Sequence, residues 1–104
     1  MYLYNITYHI QQEIAGQWMD WLKNEHLNKL LKQNFIQKAQ LIKVNTPTES
    51  IDQSFAIHYY INSKSDLIFL QKYLHQNMPI QLKKKFGEQV LFFATELEIV
   101  EEFK

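Results

Sequence analysis

Apolar and polar positions alternate from the start of the chain. Tyr2, Tyr4, Ile6, Tyr8 and Ile10 share one parity, and Leu3, Asn5, Thr7 and His9 share the other. A period of two, rich in aromatic and β-branched residues, predicts a half-buried strand. From Gln11 to Gln33 the period lengthens. At about 100° per residue, Ile14, Trp18, Trp21 and Leu22 fall on one stripe, which predicts an amphipathic helix. Leu27, Leu30 and Leu31 lie more than about 90° round from that stripe, so a straight helix cannot aim both sets at one core. The expectation is a kink or break near Glu25–Asn28, with Asn28 capping a second short segment.

Phe35 to Val44 reads as a second strand whose alternation is interrupted by Lys38, Gln40 and Lys43, the composition of an edge blunted by lysine. Asn45-Thr46-Pro47-Thr48-Glu49-Ser50 is the polar, Pro-containing connection, expected as a mobile hairpin loop. A third strand sets Phe55, Ile57, Tyr59 and Ile61 against Ala56, His58 and Tyr60. Ser63 or Ser65 caps the next helix, with Asp66 in its first turn, where the dipole favours an acid. Leu67, Leu70, Leu74 and Met78 form its inner stripe. Pro79 is expected to restart the helix and Gly87 to end it. Val90 to Val100 is the fourth strand, with Leu91, Phe93, Leu97 and Ile99 on one parity and Val90, Phe92, Ala94, Glu96 and Glu98 on the other.

The order β-α-β-β-α-β predicts an α+β, ferredoxin-like domain over residues 1–104, a four-stranded antiparallel sheet with both helices on one face. Right-handed crossovers place strands one and three in the centre. The strongly apolar parities, namely the Tyr2/Tyr4/Ile6, Phe55/Ile57/Tyr59 and Leu91/Phe93 sets, are expected on the covered face. The other face then mixes Leu3, Ala56, Tyr60, Val90 and Phe92 with Asn5, His58, Glu96 and other polar groups. An exposed apolar patch of that kind invites a second copy, so a homodimer through the sheet face, a dimeric α/β barrel, is expected.

Composition narrows the chemistry. Eleven cations balance eleven acids, and every cation is Lys, so bulk-charge binding of nucleic acid and bidentate guanidinium capture of anions are both disfavoured. Absence of Cys excludes disulfides, thiolate nucleophiles and Cys-ligated metals. Two glycines cannot build a phosphate-binding loop, and no HExxH or GxSxG is present. No metal and no cofactor are implied. The third strand lacks the Gly of an RNA-recognition signature, which argues against RNA. No stretch approaches about 18 uninterrupted apolar residues and no basic leader precedes the first strand, so a membrane span and a secretory signal are not expected and a cytoplasmic location is.

Few residues offer chemistry. In the simplest register Glu96, Asn5 and His58 fall in one row across the second sheet face, where a carboxylate and an amide could tune an imidazole for acid–base work or serve as ordinary polar pairing. His26 sits beside Glu25 where the helix is expected to break. A half-buried imidazole there is either a proton carrier or a group that bonds freed helix-end atoms. Trp18 and Trp21, at i and i+3 on the inward stripe, are either core or pocket walls. His75 and His9 read as solvated, and Lys83-Lys84-Lys85 as a solvated last turn.

Met1-Tyr2-Leu3-Tyr4-Asn5-Ile6-Thr7, Trp18-Met19-Asp20-Trp21-Leu22-Lys23 with Glu25-His26, Phe86-Gly87 and Leu97-Glu98-Ile99-Val100 together resemble the domain-of-unknown-function family numbered 4286, seen mostly in Bacteroidetes. That resemblance implies a bacterial protein and brings no activity. Its members usually carry Pro soon after the helix histidine, where this chain has Leu27-Asn28. More distantly, the pattern is similar to dimeric α/β-barrel proteins, in which a pocket between sheet and helices holds a flat apolar ligand. Their haem-degrading branch pairs a first-strand Asn with Trp and His on the second helix. Asn5 is present, but both tryptophans lie on the first helix, so the likeness carries fold only. The expected function is a small dimeric module that binds a partner or a small apolar ligand without catalysis. The alternative is a cofactor-independent monooxygenase- or isomerase-like enzyme with His26 or His58 as proton carrier.

Overall fold

The computed structural model describes residues 1–45 and 52–104. Strands β1 (Tyr2–Ile10), β2 (Ile36–Lys43), β3 (Gln53–Ile61) and β4 (Val90–Glu98) form one antiparallel sheet in the order β2-β3-β1-β4. The expected order and the central position of the first and third strands are therefore found. All of β1 pairs without interruption, Tyr2 facing Ile61 and Glu98, and Ile10 facing Gln53 and Val90. β2 is an edge strand whose register shifts between Ile36 and Lys38, a bulge that joins its lysines in blunting the edge. The hairpin expected at Asn45–Ser50 lies, from residue 46 onward, outside the described residues.

The covered face carries Ile6, Tyr8 and Ile10 of β1 and Ile57, Tyr59 and Ile61 of β3, all buried. Trp18 lies over them, with its ring centroid 5.0 Å from that of Tyr8 and 5.5 Å from that of Phe55. Burying one such large apolar side chain contributes roughly 1.5–3 kcal/mol, so this layer holds the fold.

The first helical stretch departs from expectation in an instructive way. A short 3₁₀ turn (Gln12–Ile14) leads into α1 (Ala15–Trp21), a single π-helical turn (Leu22–His26), and α2 (Leu27–Leu30). No break occurs and Asn28 caps nothing; Leu27 N–H donates to the Leu22 carbonyl, five residues back. One extra residue in a turn rotates everything after it by about 100° relative to an α-helix. That rotation turns Leu30 into the core, where it is buried with Trp18 and Leu22. The mismatch between the two apolar stripes is thus resolved by winding rather than by a kink.

The second helix, α3 (Lys64–Phe86), runs unbroken through Pro79. Ser63 caps it, its Oγ accepting from Asp66 N–H at 3.1 Å. Gly87, at φ 61°, ends it in a conformation that glycine adopts without a Cβ penalty. A restart at Pro79 does not occur, because Met78 and Leu82 are both buried and hold the helix across the proline. The carbonyl that loses its helical donor belongs to His75, an exposed position where water can replace the bond.

One face assignment is overturned. On β4 the parity facing the helices is Val90, Phe92, Ala94 and Glu96, opposite Ile10, Tyr8, Ile6 and Tyr4. Leu91, Phe93 and Leu97 point to the open face, opposite His9, Thr7 and Leu3. Both parities of β4 are apolar enough to line a core, so hydrophobicity alone cannot choose. The turn chooses: Gln89 N–H bonds Phe86 O, and Gln11 N–H bonds Gln89 O, which fixes Val90 under the end of α3.

Candidate functional site

The π-turn creates the most distinctive local geometry in the molecule. Trp21 and His26 are five residues apart, which in an α-helix would set them about 140° round from each other. Across the π-turn their rings stack instead, centroids 4.8 Å apart and planes at 23°. Phe86 meets Trp21 edge-on at 6.2 Å. π-turns inside α-helices are concentrated at functional sites, and this one borders a cleft of about 390 Å³ between the first helical stretch and α3.

Each wall of the cleft is one ridge at i, i+4, i+8 spacing: Trp21, Glu25 and Lys29 on one side, Tyr73, Asn77 and Gln81 on the other. His26 lies at its inner end, only 7 % exposed, and its Nε2 has no hydrogen-bond partner. Burial lowers its pKa to about 4, so the imidazole is neutral near pH 7. Lys84 and Lys85 also line the cleft, and Lys85 Nζ reaches Glu25 Oε2 at 3.2 Å, tying the two walls together. Asn77 Nδ2 donates to the Tyr73 carbonyl at 2.7 Å.

The structure joins some of the predicted site residues and separates others. Trp21 and His26 share the cleft; Trp18 is buried among Tyr8 and Phe55 and does not line it. Asn5 does face His58 across β1 and β3, on the open face. Glu96 does not complete that row. It follows the corrected parity of β4, sits opposite Tyr4 on the helix side, and pairs with the Lys64 ammonium, while Thr95 occupies the place beside Asn5. The hydrogen bond between them holds the Lys64 pKa up and the Glu96 pKa down. Asn5 Nδ2 donates to Thr7 Oγ1 at 3.1 Å, and His58 lies opposite Gln40, whose Oε1 accepts from Tyr60 OH at 2.8 Å. His75, expected to be solvated, is exposed but touches Tyr4 OH through Nε2 at 3.3 Å.

Sequence reasoning missed Lys29, Tyr73, Asn77 and Gln81. The recurrence of Tyr73, Asn77 and Gln81 every four residues, directly beside the apolar stripe of α3, was the available signal. Beyond the cleft, the open sheet face is the other unsatisfied surface. Leu91, Phe93 and Leu97 are 63 %, 62 % and 44 % exposed along one edge, a larger apolar strip than the sequence parity implied. Among the described residues no cluster of His, Asp or Glu could hold a metal ion, and no helix is long and apolar enough to cross a membrane.

Sheet order, helix placement and crossovers define a ferredoxin-like α+β protein. Within that class, the chain belongs to the family described as domain of unknown function DUF4286, whose family model matches residues 1–100. No curated protein matches it. Among solved structures it is similar to two dimeric ferredoxin-like proteins from uncultured marine organisms. One is 16 % identical with a TM-score of 0.71, 98 % of each chain being covered. The other is 16 % identical with a TM-score of 0.64, covering 100 % of this chain and 99 % of the other. An ethyl tert-butyl ether D (EthD) family protein from Bacillus halodurans C-125 aligns at 17 % identity and a TM-score of 0.59, with 99 % of this chain and 100 % of that one covered. At these identities the likeness is one of fold.

Proposed function

We propose that the chain is a homodimeric module, joined sheet face to sheet face, that binds a small ligand or a partner without catalysis. The observation that carries this reading is the strip Leu91, Phe93 and Leu97 on the open face, next to Leu3 and flanked by Asn5, His58 and Tyr60. A monomer seldom leaves such a strip in water. Four strands of eight or nine residues present a face of roughly 30 by 19 Å, the order of area that each partner of a stable dimer buries. Two of the structural neighbours are described as dimeric, which agrees with this arrangement. Sedimentation equilibrium at micromolar concentration is the test, with twice the 12.6 kDa chain mass expected. Phe93→Lys should return the single-chain mass with an unchanged circular dichroism spectrum. A wild-type protein sedimenting as one chain, or a Phe93→Lys variant still dimeric, overturns the proposal.

A cofactor-independent monooxygenase- or isomerase-like enzyme is the second reading, favoured by His26 at the inner end of the cleft. It stands behind the first because burial lowers the His26 pKa to about 4, which makes the imidazole a weak base near pH 7. Of the two readings of Trp18, core or pocket wall, its full burial agrees with core.

A further inference from the structure

We infer that the cleft between the two helical stretches binds a small planar organic anion, an aromatic carboxylate, with its ring against Trp21, His26 and Tyr73 and its charge held by Lys29 and Lys84. This deepens the ligand-binding half of the proposed function and does not require the dimer, since the cleft is lined by helical residues alone and the open sheet face contributes none.

Size comes first. About 390 Å³ falls within the range of small-molecule sites, roughly 300–1,000 Å³. Charge is next. The whole chain is neutral, yet three lysines converge on this cleft against one carboxylate, and that carboxylate, Glu25, is engaged by Lys85. Among the described residues, Lys29 and Lys84 pair with no acid. Two ammonium groups beside a partly apolar wall suit an anion that also has a flat hydrophobic body; with no Arg in the chain they act as separate point charges rather than as a fork.

The third element is the orphaned ring nitrogen. A buried polar atom without a partner costs roughly 1–3 kcal/mol. Among the described residues Trp18 Nε1, Tyr59 OH and His26 Nε2 are such atoms, and of the three only His26 belongs to the cleft lining. His26 is kept neutral by burial. In the tautomer with its proton on Nε2 it donates to a carboxylate whose approach uncovers that buried atom, without a competing charge on the protein. The π-turn places this imidazole at the cleft, because an α-helical winding would have swung it away from Trp21.

The probe is 2-naphthoate, with 2-naphthamide as its uncharged match, titrated into the intact protein and followed by amide and indole NMR. Saturable shifts at the Trp21 indole N–H, His26 and Tyr73 are expected, with Phe93 unmoved. The amide should bind about tenfold more weakly or worse, as loss of a charge-assisted contact implies. Lys29→Met with Lys84→Met should weaken naphthoate by a similar factor, and Lys72→Met, outside the cleft, should not. Equal binding of acid and amide, shifts confined to the sheet face, or no shift at the cleft up to millimolar probe each overturns the inference. Sedimentation of the same samples separates the two proposals. Naphthoate in the cleft of a monomer sinks the dimer alone, and a dimer with a silent cleft sinks this inference alone.

Discussion

On the helix-covered face of the sheet, Ile6, Tyr8, Ile57, Tyr59 and their neighbours are fully buried beneath Trp18 and the inner stripe of α3. On the opposite face, one residue further along β4, Leu91 and Phe93 stand more than half exposed. The two faces draw on similar apolar side chains and differ in what lies over them. The covered face is closed within the chain, so its contacts are part of folding; the open face has no such cover. If the proposed dimer forms there, the same residue type carries stability on one side and an interface on the other, and substitutions separate the two.

The largest effect belongs to the covered face. Trp18→Ala removes the side chain that bridges Tyr8 and Phe55, and should destabilise the protein by about 3–5 kcal/mol in urea unfolding, at every protein concentration. A loss below about 1 kcal/mol would mean that the layer over the sheet is far looser than its burial implies.

Closure of the helix layer is incomplete at the cleft, and pH reports on it. The folded His26 pKa is about 4 against 6.5 for the free side chain, because burial disfavours the charged form. Between those two values the unfolded chain binds the proton and the folded chain does not, so stability falls as pH drops from about 6.5 to 4 and is fully present above that window. The loss attributable to this one group is about 3 kcal/mol. Glu25 and Lys29 on its own helical stretch, and Tyr73, Lys84 and Lys85 on α3, share its surroundings. The measurement is therefore a difference: urea unfolding of wild type and His26→Phe across that window. The variant should lack the slope and, at pH 7, be as stable as wild type or more so, since it removes an unpaired buried nitrogen. Parallel curves for the two proteins would contradict the buried, neutral imidazole.

How far the sequence announced these features depended on how many physical signals agreed. In β1 the alternation and the aromatic and β-branched residues pointed one way. Gly87 had a single role that suited its chemistry, and the helix start was placed at Ser63 or Ser65, of which Ser63 is the cap. Element order followed from them. In β4 both parities were apolar, so the deciding influence was the tight turn after Gly87, a three-dimensional constraint invisible to periodicity. That one slip misplaced Glu96 and hid the exposed strip. Near Glu25 the pattern did show two incompatible stripes; a kink and an inserted residue satisfy that pattern equally, and burial of His26 and Leu30 against the core selects the insertion. Pro79 misled in the opposite direction, because a proline's missing bond costs little where the freed carbonyl faces water. Of the site, Trp21 and His26 were legible and their lysine and amide neighbours were not, since the pairing of two i, i+4 ridges depends on how the helices cross.

Phe92 and Phe93 sharpen the comparison of faces most directly, being adjacent in sequence and opposite in destination. Phe92 lies across from Tyr8, with ring centroids 6.3 Å apart, and is half-buried under the helix layer. Phe93 lies across from Thr7 and is 62 % exposed. Phe92→Thr should cost about 2 kcal/mol, less than a fully buried aromatic because part of the ring is already wet. In dilute protein, Phe93→Thr should change stability by no more than about 0.5 kcal/mol, as for a surface position. Raising the concentration should reverse part of that order. A dimer that forms only from folded chains adds stability by mass action. The midpoint of wild type and of Phe92→Thr should then climb with concentration, whereas that of Phe93→Thr should stay nearly flat. If both variants keep the concentration dependence, the open face is not where copies meet. If neither protein nor variant shows any, the strip is simply wet.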